Sequence, residues 1–189
     1  MSAPLVKICG LMREADVDGA VVAGADLVGF VCVADSPRGI TVERALELAA
    51  RVPAPVRTVA VSATSVFPAQ PGEGFDLVQV YGRPDSMDDV IVGFRGEPDE
   101  MPDGVPLLLD LARGSDPSND DLRAHWQRAA KVRAPVMLAG SLDAGNVAEA
   151  VRQVRPWAVD TARGVEVSPG VKDAGLIEQF VRRAKEALA

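Results

Sequence analysis
The sequence predicts an α/β protein in which eight parallel strands, most followed by a helix, close into a (β/α)8 TIM barrel. Two observations carry this. Short runs rich in Val, Leu and Ile recur eight times along the 189 residues, as expected of a parallel sheet covered on both faces. Most of them precede an amphipathic segment, and eight such units is the number that closes a barrel. An open doubly wound sheet is the alternative, but no G-x-G-x-x-G follows any strand. Neither a repeat nor a linker divides the chain, so residues 1–189 are expected to form one domain.

Each element has a local reason. LVKIC (5–9) is the first strand, followed by a helical stretch from Glu14 to Ala23. DLVGFVC (26–32) is the second, and TVERALELAARV (41–52) reads as a helix capped by Thr41. VRTVAVS (56–62), FDLVQVYG (75–82), DVIVGF (89–94) and VPLLLDL (105–111) are the third to sixth strands. The helices after strands 3 and 5 are expected to be weak or missing, because ATSVFPAQPGEG and RGEPDEMPDG are rich in Pro and Gly. APVMLAGS (134–141) and PWAVDTA (156–162) are the seventh and eighth strands. AGNVAEAVRQV (144–154) lies between them as a helix, and a last helix spans 172–189.

Composition narrows the function. A hydrophobic share of 48% and a charged share of 25% are ordinary for a soluble globular protein. The net charge of −7 argues against nucleic acid or an anionic membrane as partner, though not against a small anionic ligand. Cys9 and Cys32 form no CxxC, and one histidine is too few for a zinc framework, so neither a metal nor a disulfide is expected. With no signal-peptide core and no run of 18 apolar residues, a cytoplasmic protein with reduced thiols is the simplest reading.

A barrel of this kind places its active site at the C-terminal ends of the strands. Cys9 ends strand 1 and Asp110 ends strand 6, where they could approach a ligand from two sides as base and acid. Packing alone also explains a strand-end cysteine, and it is the favoured reading for Cys32. After strands 7 and 8, Gly140 with Ser141, and Arg163 with Gly164, fit a phosphate site made of backbone N–H groups and one cation. Arg38, on the Pro-braced turn after strand 2, offers a planar fork for a carboxylate.

The motifs VKICGL, AGADLVGFV, SPR, VQVYG, PLLLD, LAGSLDAGNVAEAV and VDTARGVEVSPGVKD resemble, in that order, those of phosphoribosylanthranilate isomerases. The resemblance implies a small barrel without metal or organic cofactor, monomeric or homodimeric, acting on a phosphorylated small molecule in tryptophan synthesis. It implies that Cys9 is the general base and Asp110 the general acid of an Amadori rearrangement. Arg38 would bind the anthranilate carboxylate, and Asp160 would contact the ligand. The chemistry asks for a raised pKa at Asp110 and a lowered one at Cys9.

Departures from the family pattern are concentrated around the substrate. Tyr81 stands where a histidine is usual, and Arg83 where an acidic residue is usual. SNDD (118–121) aligns with a glycine-rich ligand-covering loop, His125 with an aspartate, and Gly39 with an aromatic. Ser141 replaces a glycine, and Ala162-Arg163 replace two serines. Two aspartates in a covering loop would repel a phosphate. The open position at Gly39, with Tyr81, favours a related N-ribosyl phosphate as substrate, and the SNDD loop favours a non-catalytic binding barrel.

Overall fold
Eight parallel strands hydrogen-bond in chain order, and the last pairs with the first to close the ring. They are β1 (Leu5–Cys9), β2 (Leu27–Val31), β3 (Arg57–Val61), β4 (Leu77–Tyr81), β5 (Val90–Arg95), β6 (Leu107–Asp110), β7 (Val136–Leu138) and β8 (Ala158–Thr161). This computed structural model describes residues 3–65, 72–84, 86, 88–96, 102, 104–111 and 116–188. The predicted (β/α)8 barrel is therefore the fold of the chain. Parts of the expected loops after strands 3, 5 and 6 lie outside the described residues.

Alternation along each strand separates two cores. Val59, Leu77, Ile91, Leu108, Met137 and Ala158 pack with Cys9 inside the ring. Their neighbours Ala60, Val78, Val92, Leu107, Leu138 and Val159 face outward and pack in the core that also contains the helices' buried residues. Parallel strands buried on both faces are near-continuous apolar runs for this reason.

The helices cover part of the ring. They are α1 (Glu14–Val22), α2 (Val42–Ala49), α3 (Asn119–Ala129), α4 (Val147–Val154) and α5 (Ala174–Glu186). Thr41 caps α2 by accepting from the Arg44 N–H, and Asp173 caps α5 by accepting from the Leu176 N–H. The α5 face Ile177, Phe180, Val181 and Ala184 is buried, at helical spacing. Arg155 ends α4 in the left-handed conformation, ahead of Pro156. Among the described residues no helix separates β3 from β4, β4 from β5 or β5 from β6.

Two elements differ from expectation. SNDD is not a ligand-covering loop: Ser118 is the N-cap of α3, and its side chain and that of Asp121 exchange hydrogen bonds with each other's backbone N–H. The acidic side chains stand at the positive end of a helix, where they stabilise it. The last helix begins at Ala174 rather than 172, because residues 166–172 form an antiparallel hairpin of β9 (Glu166–Ser168) and β10 (Val171–Lys172). Both strands are too short to show periodicity.

Candidate active site
At the C-terminal mouth of the ring the interior turns polar. Lys7 is fully buried, and its ammonium donates to Asp160 Oδ1 at 2.9 Å and to Gln79 Oε1 at 3.0 Å. The three residues come from β1, β8 and β4, so this network spans the barrel. Asp160, expected to contact ligand, thus has one oxygen engaged by Lys7. Sequence reasoning missed Lys7, although alternation from Cys9 places it on the same inward face.

Cys9 lies one layer above, 6% exposed. Burial pushes its thiol above the ordinary value, with Asp160 acting in the same sense and Lys7 and Lys172 pulling back. The expected lowering is therefore not found: desolvation of the thiolate outweighs two nearby cations. Cys32 is half-buried and packs against the outer core, as expected for it; burial holds its thiol at about 11.

Asp110 meets its expectation. Burial, with the charge of Asp160, raises its carboxyl to about 6. The Leu111 N–H donates to its Oδ1 at 2.8 Å, and Arg95 and Lys7 keep the value from rising further. β6 and β1 are separated in the ring by β7 and β8, so Asp160 stands on the arc between acid and thiol.

Tyr81 fills the far side of the mouth. Arg95 lies over its ring, 3.6 Å from the centroid, and Gln79 Nε2 donates to its hydroxyl at 3.3 Å. Gly93, its register partner on β5, makes room: a Cβ there would come within 2.7 Å of the ring. Burial raises the phenol to about 12, so it stays protonated at neutral pH.

Arg38 is held by a carboxylate from within the chain. Its Nε and Nη2 donate to Glu166 Oε1 and Oε2 at 2.8 and 2.6 Å. Lys172 Nζ also donates to Glu166 Oε1 at 2.8 Å. The motifs SPR and GVE, whose Arg38 and Glu166 are 128 positions apart, thus meet in one cluster with Lys172 of KD. Glu166 occupies the Nε–Nη2 edge of the guanidinium and fixes its plane. Gly39 is not an open position: a Cβ would collide with the Val33 carbonyl oxygen, so the tight turn excludes any side chain there.

The loops after β7 and β8 are bound together. Asp143 and Gly164 form a parallel bridge, and a Cβ at Gly164 would collide with the Leu142 carbonyl oxygen. Gly140 has φ +93°, and a Cβ there would sit 3.0 Å from the Leu111 nitrogen. Two of the substitutions in these loops meet each other: Arg163 Nη2 donates to Ser141 Oγ at 2.8 Å. His125, from α3, is buried and contacts the Ala139 carbonyl oxygen through Nε2 at 3.1 Å, tying the helix to the end of β7.

A closed parallel barrel with charged and thiol groups gathered at the C-terminal ends of its strands has the architecture of a (β/α)8-barrel enzyme. The chain is 38% identical to the N-(5'-phosphoribosyl)anthranilate isomerase of Chromohalobacter salexigens, over 97% of this chain and 95% of that protein. It belongs to the phosphoribosylanthranilate isomerase family. Residues 103–183 match the family model described as N-(5'phosphoribosyl)anthranilate (PRA) isomerase. The crystal structure of phosphoribosyl anthranilate isomerase from Thermotoga maritima superposes with a TM-score of 0.79 at 27% identity, covering 96% of this chain and 98% of that one. A structure of such an isomerase in complex with reduced 1-(o-carboxyphenylamino)-1-deoxyribulose 5-phosphate superposes with a TM-score of 0.74 at 28% identity, covering 96% and 98%.

Proposed function
We propose that the chain isomerises N-(5'-phosphoribosyl)anthranilate to the 1-deoxyribulose phosphate, an Amadori rearrangement of tryptophan biosynthesis carried out in the cytoplasm. Family membership supports the substrate. The observation that carries the chemistry is an Asp110 carboxyl raised to about 6, across the mouth from a thiol flanked by cations. Asp110 gives its proton to the furanose ring oxygen as the C1–O bond breaks, leaving an iminium at C1. Cys9, as thiolate, takes the C2 proton, and the electron pair moves into a C1–C2 double bond and onto nitrogen. Protonation of this enolamine at C1 and loss of the enol proton give the aminoketose. Because the acid titrates below the base, the competent pair is a minority species at any pH.

Arg38 would hold the anthranilate carboxylate. Asp160 would meet the ribose chain, while Gly140, Ser141, Arg163 and Gly164 would hold the phosphate. The ligand needs no metal or organic cofactor for these steps. Among the described residues no helix is long and apolar enough to cross a membrane. A monomer or a homodimer fits this reading, with residues 1–189 as one domain.

Following the loss of substrate fluorescence tests this reading. Cys9→Ala is expected to reduce kcat by about 100-fold or more with the fold intact. An unchanged rate would exclude Cys9 as the base, and a folded wild type without turnover would exclude this substrate. Arg163→Ala is expected to raise KM several-fold at constant kcat, the signature of a lost uniform binding contact; an unaltered KM would remove Arg163 from the phosphate site.

A second reading, the same chemistry on a ring-substituted anthranilate, now rests on Tyr81 alone, since Gly39 opens no space. The non-catalytic reading has lost its ground, because the SNDD residues cap a helix.

A further inference from the structure
One buried charge has no part in these steps. Lys7 lies inside a ring that branched apolar side chains ordinarily fill, and an ammonium there is costly unless it is paired and hydrogen-bonded. Asp160 and Gln79 anchor it at 2.9 and 3.0 Å, from strands on either side. It shares the inward face of β1 with Cys9, two residues along. Gly29, the register partner of Cys9 on β2, is the gap between them: a Cβ there would lie 3.0 Å from Cys9 Sγ and 3.2 Å from Lys7 Nζ. The sulfur and the ammonium therefore flank one point that only a glycine leaves open.

We propose that Lys7 is the positioning residue of Cys9, its anchored ammonium supplying the counter-charge that eases ionisation of the buried sulfur, with Gly29 as the space in which the two heads meet. The inference rests on the reading of Cys9 as the base. Other groups face the sulfur too. Asp160 from β8 opposes ionisation, and Lys172 from β10 assists it more weakly than Lys7 does. Tyr81 from β4 is coupled to Cys9 and to Asp110 of β6. Arg38 passes over Gly10, where a Cβ would sit 2.7 Å from its Cδ, with its charge committed to Glu166. Without Lys7, burial and Asp160 would face a single weaker cation.

The test is the pH profile of Cys9 alkylation by iodoacetamide, in a Cys32→Ser background, from about pH 6 to about pH 11. Lys7→Met is expected to move the midpoint up by at least about one pH unit, slowing alkylation about tenfold below it. A folded Lys7→Met variant with an unmoved midpoint overturns the proposal. Gly29→Ala keeps every charge and only forces the two heads apart, so it is expected to shift the midpoint in the same direction. If Lys7→Met does not fold, Gly29→Ala decides, and an unmoved midpoint there overturns the proposal equally. Alkylation does not depend on isomerisation, so a wild type inactive on phosphoribosylanthranilate would refute the proposed function without touching this result.

Discussion

Asp110→Asn is expected to abolish turnover and, at pH 8, to make the protein more stable. The loss of the acid should lower kcat by about 100- to 10,000-fold. The gain follows from the direction of the carboxyl's shift: buried beside Asp160, it titrates near 6 instead of 3.8. Above pH 6 the folded protein must carry an anion that the unfolded chain carries at no penalty. Below 3.8 both states are protonated and the difference disappears. A shift of this size corresponds to about 2–3 kcal/mol. Asparagine keeps an acceptor for the Leu111 N–H, so the loop after β6 keeps its anchor. Urea unfolding at pH 8 and in acid checks this; a variant no more stable than wild type at pH 8 would show that the surroundings of Asp110 do not penalise its anion.

Glu166→Gln should show the opposite pH signature. Its side chain is 3% exposed, and it is shared by Arg38 and by Lys172, whose side chain is 0% exposed. These two cations outweigh burial and hold its carboxyl below the ordinary 4.5. Burial also lowers the Lys172 ammonium, with the charge of Arg38 acting in the same sense and Glu166 opposing both. The two shifts point in different directions for stability. The larger consequence lies in removal: glutamine would leave a buried ammonium uncompensated, at a cost of about 3–5 kcal/mol. The pairing stabilises the protein above the unfolded glutamate's 4.5 and is lost as pH falls through the lowered folded value. Wild type and variant should therefore differ strongly at neutral pH and converge in acid. KM should rise as well, because Arg38 loses the carboxylate that fixes its plane. Equal stabilities at pH 7 would mean that the cluster is solvated rather than buried.

Most of the barrel was legible in the sequence. Apolar runs of about one strand's length and helical spacing between them are local properties, and they placed the ends of all eight strands to within three residues. Thr41 as a cap could be read for the same reason. The α3 cap could have been read too, since Ser118 with Asp121 has capping-box spacing, but alignment with a family loop drew SNDD to the ligand instead. The β9–β10 hairpin could not be read, being too short for any period to emerge. Strand-end position selected Cys9, Asp110 and Asp160 as candidates, while Arg38, on the turn after strand 2, was offered by its planar fork and given its role by the resemblance.

The fold class, the order of the eight barrel strands and the strand-end residues at the mouth were thus legible locally, whereas Lys7 and the β9–β10 hairpin were not. Only the tertiary structure decided which residues meet. The bonds of Lys7 to Gln79 and Asp160, and of Arg38 to Glu166, join residues 72, 153 and 128 positions apart, and they form because ring closure brings β8 beside β1 and stacks the last hairpin on the turn after β2. Burial decided the rest. Two strand-end groups that look alike on the page, Cys9 and Asp110, both have their protonated forms favoured, because the energy of an ion depends on what surrounds it in three dimensions and not on its neighbours in the chain.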